Sequence, residues 1–106
     1  MSIFSVLGKK GTIEVLHKIK DGVNSFTSIK NALDMEGCGV STRTLAERLN
    51  DLEEENLIQK DGGKYYLTKK GEEAIEIIEN IIEWENKWKK AKIPKIIIGM
   101  LGDKER

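Results

Sequence analysis

The chain has 106 residues, of which 18 are Lys or Arg and 18 are Asp or Glu, so the formal net charge is zero. That length gives one domain with a single modest core, and zero net charge argues against a bulk DNA coater whose affinity comes from neutralising phosphate, while leaving room for a specific binder with a local basic face. No run approaches the ~18 apolar residues of a membrane span, and Cys38 is the one cysteine, which rules out an internal disulfide.

From the N-terminus, Ile3, Phe4, Val6 and Leu7 make a short apolar segment suited to packing on the domain or across a partner. The start lacks the apolar h-region and small-residue cleavage site of a signal peptide, which with the lone cysteine fits a cytoplasmic protein. Lys9 to Lys20 reads as a first helix, with Ile13, Leu16 and Ile19 at three-residue spacing and Val15 flanking. Asp21-Gly22 ends it with turn chemistry. His17 has no second His to join it, so a half-buried structural role is expected rather than a metal site.

A second helix opens at Ser25-Phe26-Thr27, with Ser25 or Thr27 as its cap and Phe26, Ile29, Ala32 and Leu33 facing inward. Asp34 to Gly39 reads as a turn holding two glycines. The third helix, residues 41–55, carries the strongest signal. Ser41 caps it, and Leu45, Leu49 and Leu52 form one apolar stripe at four- and three-residue spacing. Arg43, Ala46, Glu47 and Asn50 cluster on the opposite side at ~100° per residue. A core-facing stripe backed by short polar groups and one Arg is what a helix reading base edges in a major groove requires; an ordinary amphipathic surface helix has the same stripe.

Asn56 is placed to stop that helix in a left-handed conformation. Residues 57–68 then read as a β-hairpin: Leu57-Ile58-Gln59, a turn at Asp61-Gly62-Gly63, and Tyr65-Tyr66-Leu67-Thr68 returning. Such a hairpin directly after the third helix is a wing. Its tip carries Lys60 and Lys64, placed either to meet phosphates or to keep the strand edge soluble. Thr68 caps a long helix over residues 69–90, in which Gly71 is a weak spot near the start. One stripe of this helix holds Ala74, Ile78, Ile81, Trp84 (or Glu85) and Trp88, and a second holds Ile75, Ile78 and Ile82. This face is broader than one small domain needs. Ile75, Ile78, Ile81, Ile82, Trp84 and Trp88 are therefore the candidate homodimer interface. Residues 91–106 form a basic and apolar tail around Pro94, too short to span a bilayer.

The expected architecture is thus mainly α with a small β-hairpin: a winged helix-turn-helix domain over residues 1–68, a long C-terminal dimerisation helix over 69–90, and the tail. Charge is unevenly spread along the chain. Residues 1–50 carry seven Lys/Arg against five Asp/Glu, residues 51–86 four against eleven, and residues 87–106 seven against two. Lys, Glu and Ile are abundant and Gln59 is the one Gln. That bias is shared by hyperthermophile proteins, and an AT-rich genome would also give Lys and Ile.

From Leu7 to about Trp88 the motifs resemble the winged-helix transcriptional regulators of the HxlR and PadR type. Leu7-Gly8-Lys9-Lys10-Gly11-Thr12 is similar to that family's LGKKWT opening, with Gly11 where Trp is usual. Ser41 to Ile58 is similar to its S-x-R-T-L-x-x-R-L-x-x-L-E-x-x-G-L-I segment, with Asn56 in place of the Gly. Tyr65 to Gly71 is similar to Y-x-L-T-x-x-G, a motif common to many winged-helix families. The turn before Ser41 is longer and the wing turn shorter than usual. The N-terminal redox cysteine of some members is missing, Cys38 lying in the turn instead. The short wing and long following helix also resemble small archaeal winged-helix DNA-binding proteins.

The resemblance implies a dimeric, sequence-specific regulator that binds double-stranded DNA. Its reading residues carry over to Ser41, Thr42, Arg43 and Thr44, and to Glu47 more weakly; Arg43 is the first choice for base contact, since guanidinium pairs both acceptors of guanine. Lys30, Lys60 and Lys64 would hold backbone phosphates. Arg48, beside the leucine stripe, suits an internal ion pair and a DNA contact equally. No cofactor, metal or membrane partner is implied. An enzyme is not expected: Cys38 and His17 make no nucleophile–base pair, Gly62-Gly63 lacks a phosphate-loop pattern, and the carboxylates read as solvated helix faces. The alternative is a winged helix used for protein–protein contact in a transcription or chromatin assembly, which the acidic middle segment favours. A sensor acting through Cys38 is a third reading, without a ligand-pocket signature to support it.

Overall fold

The structure, a computed structural model, describes residues 2–91, with side chains to residue 89. The tail expected beyond the last helix lies outside the described residues. The element order is α1 (Ile3–Leu7), α2 (Thr12–Lys20), α3 (Phe26–Met35), α4 (Thr42–Glu54), β1 (Ile58–Asp61), β2 (Lys64–Leu67) and α5 (Lys69–Ala91). The chain divides into two units, Met1–Ile75 and Glu76–Arg106.

In the first unit α2 is the hub, packing against α1, α3, α4 and β2. Its Val15, Leu16 and Ile19 meet Val6, Ile29, Leu33, Leu45, Leu49, Leu52, Leu57 and Ile58 in one buried core. The short N-terminal segment is a helix that buries Val6 and leaves Phe4 81% exposed. The expected first helix starts three residues later than Lys9. Gly11 sits at its N-cap with φ +86°, a left-handed value that interrupts any helix running through it. Within that helix Val15 is fully buried and Ile13 only half-buried, so the inward face is turned slightly from the expected one.

Ser25, not Thr27, caps α3, in a reciprocal box with Ser28. That helix continues through Asp34 to Met35, so the turn before α4 is shorter than expected. Gly37 (φ +79°) closes it, with the Cys38 N–H donating to Leu33 O at 2.9 Å. Helix α4 matches the expected boundaries to within a residue. Ser41 Oγ accepts from Thr44 N at 3.0 Å, and Leu45, Leu49 and Leu52 are all buried. Asn56 adopts φ +60° and ends the helix, its N–H donating to Glu53 O.

The hairpin register pairs Ile58 with Leu67, Lys60 with Tyr65 and Asp61 with Lys64. Asp61 is therefore the end of β1, and the turn is Gly62-Gly63 alone. Both glycines have positive φ, which a two-residue type I′ loop requires at both central positions. The Tyr65 N–H, on β2, donates to Asn24 O at 2.8 Å, which ties the hairpin to the loop between α2 and α3.

Where α4 ends and α5 begins, the backbone is clamped. Thr68 N donates to Leu57 O, the Thr68 hydroxyl donates to Asn56 O and accepts from Gly71 N, and Lys70 Nζ donates to Glu55 O. Gly71 is buried here and is not the weak spot expected from helix propensity: it admits the close approach of another strand of backbone. In the second unit, α5 exposes Ile77, Ile81, Ile82, Trp84 and Trp88.

Candidate nucleic-acid interface

Helix α4 projects its polar side as the sequence periodicity requires, because the leucine stripe fixes its rotation. A shallow hollow on this side is lined by Lys9, Arg43, Ala46, Glu47, Arg48, Asn50 and Asp51. Arg43, in the first turn, is the most open charge of the group, with its side chain 88% exposed. Its Nε lies 3.4 Å from Glu47 Oε2, one turn on. Glu47 Oε1 in turn lies 3.5 Å from Arg48 Nη2.

Arg48 is an internal residue. Its Nε stands 3.4 Å from Asp51 Oδ2, within ion-pair range but out of line for a hydrogen bond. Asp51 also accepts from Lys9 Nζ at 3.1 Å. The ion pairs thus form a continuous row, Lys9–Asp51–Arg48–Glu47–Arg43, anchored by the half-buried Arg48 and Asp51 and ending at the exposed Arg43. Exposed i,i+4 pairs add only roughly 0.3–0.5 kcal/mol to a helix, so the outer end of this row does little for stability. Lys9 and Asp51 are outside the set of site residues expected from the sequence. They lie 42 positions apart, and no local pattern announces their pairing.

The other expected residues are placed as follows. Ser41 and Thr42 are exposed at the start of α4, and the Ser41 hydroxyl also donates to Thr44 Oγ1 at 3.0 Å. Thr44 is half-buried. Lys30, on α3, gives its ammonium to both oxygens of Asp34, at 2.7 and 2.9 Å; the four-residue spacing of the two is the sequence signal for that pair. Lys60 and Lys64 are exposed on the hairpin. The Lys60 ammonium lies 5.5 Å from the centre of the Tyr65 ring across the strands, and Lys64 is opposite Asp61 at the turn. Ser41, Thr42, Arg43 and Glu47 therefore share one helix end, Lys60 and Lys64 share the hairpin, and Lys30 stands apart on α3.

On α5, Ile75 and Ile78 are buried, at 2% and 6% exposure, and are not surface available to a partner. Ile77, absent from the expected set, is 60% exposed instead. The open apolar residues Ile77, Ile81, Trp84 and Trp88 are spaced four, three and four apart, the spacing of a coiled-coil seam.

This arrangement of elements has counterparts among known proteins. Residues 6–93 match the HxlR-like helix-turn-helix family. The chain belongs to that family. It is a transcriptional regulator of the helix-turn-helix type. It is 87% identical over its full length to an uncharacterised HTH-type transcriptional regulator of Methanocaldococcus jannaschii, the match covering all of both chains. It is 28% identical over 94 residues to the HTH-type transcriptional regulator YodB of Bacillus subtilis, covering 82% of this chain and 80% of that one. The crystal structure of quinone-bound YodB superposes with a TM-score of 0.70 at 30% identity, covering 79% of this chain and 91% of that one. The reduced form of YodB gives a TM-score of 0.65 at 26% identity over 94% of this chain and 91% of that one. The winged-helix fold with a long C-terminal helix is thus that of the HxlR-like family. Among the described residues no group of three or more His, Cys, Asp or Glu is placed to hold a metal ion, and no helix is long and apolar enough to cross a membrane.

Proposed function

We propose that the protein is a homodimeric, sequence-specific regulator that lays α4 in the major groove of double-stranded DNA and sets the β1–β2 hairpin against the adjoining backbone. The observation that carries this reading is the exposure of Arg43 in the first turn of a helix whose opposite side is locked into the core. The N-terminal residues of a recognition helix are the ones that reach base edges. A guanidinium there is suited to the paired acceptors of guanine. Lys60 and Lys64, exposed on the hairpin, supply sequence-independent phosphate contacts. Ser41 and Thr42 hold the register with phosphates or base edges beside the helix start.

The dimer reading rests on α5. Four large apolar side chains at 4-3-4 spacing stand in solvent in the single chain, and burying a side chain of that size stabilises by ~1.5–3 kcal/mol. A second copy of the same helix offers a matching seam. A dimer in turn implies paired half-sites on the DNA, separated by about one helical turn or a multiple of it.

The test is selection of duplexes from a randomised library, followed by fluorescence anisotropy at two salt concentrations with Arg43→Ala beside the wild type. The expected result is a recurrent half-site, binding that weakens with salt, and a loss of ~1–3 kcal/mol of preference at one base pair in the variant. Failure to enrich any sequence, with binding at background at both salt concentrations, defeats the reading and directs the search to a protein partner.

A further inference from the structure

We propose that Glu47 is a positioning residue for base reading: its carboxylate pairs with Arg43 at Nε, which reserves the two terminal guanidinium nitrogens for a base, and so fixes a preference for guanine at one position of the site. The inference rests on the assignment of Arg43 as the base-reading residue. The contact in question is the 3.4 Å approach of Glu47 Oε2 to Arg43 Nε, the guanidinium nitrogen nearest the chain. A bidentate contact to guanine O6 and N7 needs two N–H groups side by side. The carboxylate beside Nε disfavours that edge for a base and leaves Nη1 and Nη2 as the pair.

Glu47 is itself restrained. Its second oxygen faces Arg48 Nη2; the Arg48 side chain is only 13% exposed and is paired at Nε with Asp51, which Lys9 holds in turn. The row of alternating charges is therefore anchored at its inner end and free at its outer end, so that the last member is the one whose direction it sets. A long Arg side chain loses rotamer freedom when it binds; a brace that removes that freedom beforehand lowers the cost of forming the fork. The same carboxylate repels the phosphates of any duplex and so lowers sequence-independent affinity. The brace on Arg43 is what widens the gap between the right sequence and a random one.

The experiment compares wild type, Glu47→Gln, Arg43→Ala and the double variant by anisotropy. The probes are the library-selected duplex, single-base-pair variants of it, and an unrelated duplex. We expect Glu47→Gln to keep the wild-type thermal midpoint and to bind the unrelated duplex more tightly. Its preference should fall roughly twofold at the base pair where that of Arg43→Ala also falls. In the Arg43→Ala background the Glu47 change should leave that base pair's preference unchanged. A wild type that prefers its selected duplex together with a Glu47→Gln variant that prefers it equally overturns this inference and leaves the regulator reading standing. Equal reductions with and without Arg43 also overturn it, because Glu47 then acts independently of Arg43. A wild type that binds selected and unrelated duplexes alike removes the regulator reading, and this inference with it.

Discussion

A Cβ built on Gly71 would lie 2.0 Å from the carbonyl oxygen of Leu57, closer than any side chain tolerates. Gly71 also sits one turn into α5, with its N–H taken by the Thr68 hydroxyl. Its lack of a side chain is what lets the start of α5 cross the end of α4, where three successive carbonyls, Glu55, Asn56 and Leu57, accept from Lys70 and Thr68. Gly71→Ala would ordinarily improve a helix. Here it should destabilise the protein by about 1–3 kcal/mol or more through forced backbone displacement. Gly39→Ala, in open space at an unstrained φ, should change stability by less than about 0.5 kcal/mol. Urea denaturation of the two variants measures both.

Thr12 opens α2 fully buried, and among the described residues no group hydrogen-bonds its hydroxyl. A buried hydroxyl without a partner carries a desolvation penalty of ~1–3 kcal/mol. Thr12→Val keeps the shape and removes the penalty, so it should raise the thermal midpoint. Thr12→Ala also removes a methyl group and should fall below Val by roughly 1 kcal/mol. If calorimetry ranks Val below Thr, the hydroxyl has a partner in solution.

What the sequence reveals and what it hides divide along physical lines. Helix α4, its cap at Ser41, the left-handed Asn56 and the glycine hairpin are all legible, because caps, stripe periodicity and turn chemistry act within a few residues. The start of α2 is not, because Gly11 reads as a mere weak helix former until its φ is known. Gly71 misleads for a related reason: its neighbour Leu57 is fourteen positions away and meets it only in the fold. On α5 the ambiguity is one of rotation. Ile77 and Ile78 are adjacent, and a helix with apolar residues on two neighbouring faces does not say which is turned inward. At the candidate site the periodicity puts Arg43 and Glu47 on one face. The row of ion pairs behind them, reaching back to Lys9, depends on long-range packing that no spacing encodes.

The lysines should differ in a way that pairing predicts. Lys64 stands at the hairpin turn, exposed, while Lys30 gives its charge to Asp34. Removing one phosphate-neutralising cation reduces the slope of log K against log salt by about 0.9 on B-DNA. Lys64→Ala should show close to that change, with base preference intact. Lys30→Ala should show a much smaller one. Anisotropy titrations across a salt series provide the comparison, and equal slopes for both variants would contradict it.

The exposed seam of α5 predicts the oligomeric state. Ile81 is 55% exposed in the single chain, so Ile81→Glu should cost the folded protomer little. It should nonetheless convert a dimer to a monomer, since it places a charge in the middle of the seam. Sedimentation velocity of wild type, Ile81→Glu and Trp84→Ala is the measurement. A wild type that sediments as a monomer at micromolar concentration refutes the dimer.

Net charge and internal ion pairs bear on how fast such a regulator would find its operator. The formal net charge is zero, and Lys9, Lys18, Lys30 and Arg48 each face a carboxylate of the same chain, which weakens the hold on arbitrary duplex. A protein held weakly between sites dissociates before it has slid far. Its search would proceed by many brief three-dimensional encounters, each resolved by whether the exposed end of α4 meets its bases. Its occupancy of the operator would then follow its free concentration closely, with little of the population stored on the rest of the chromosome.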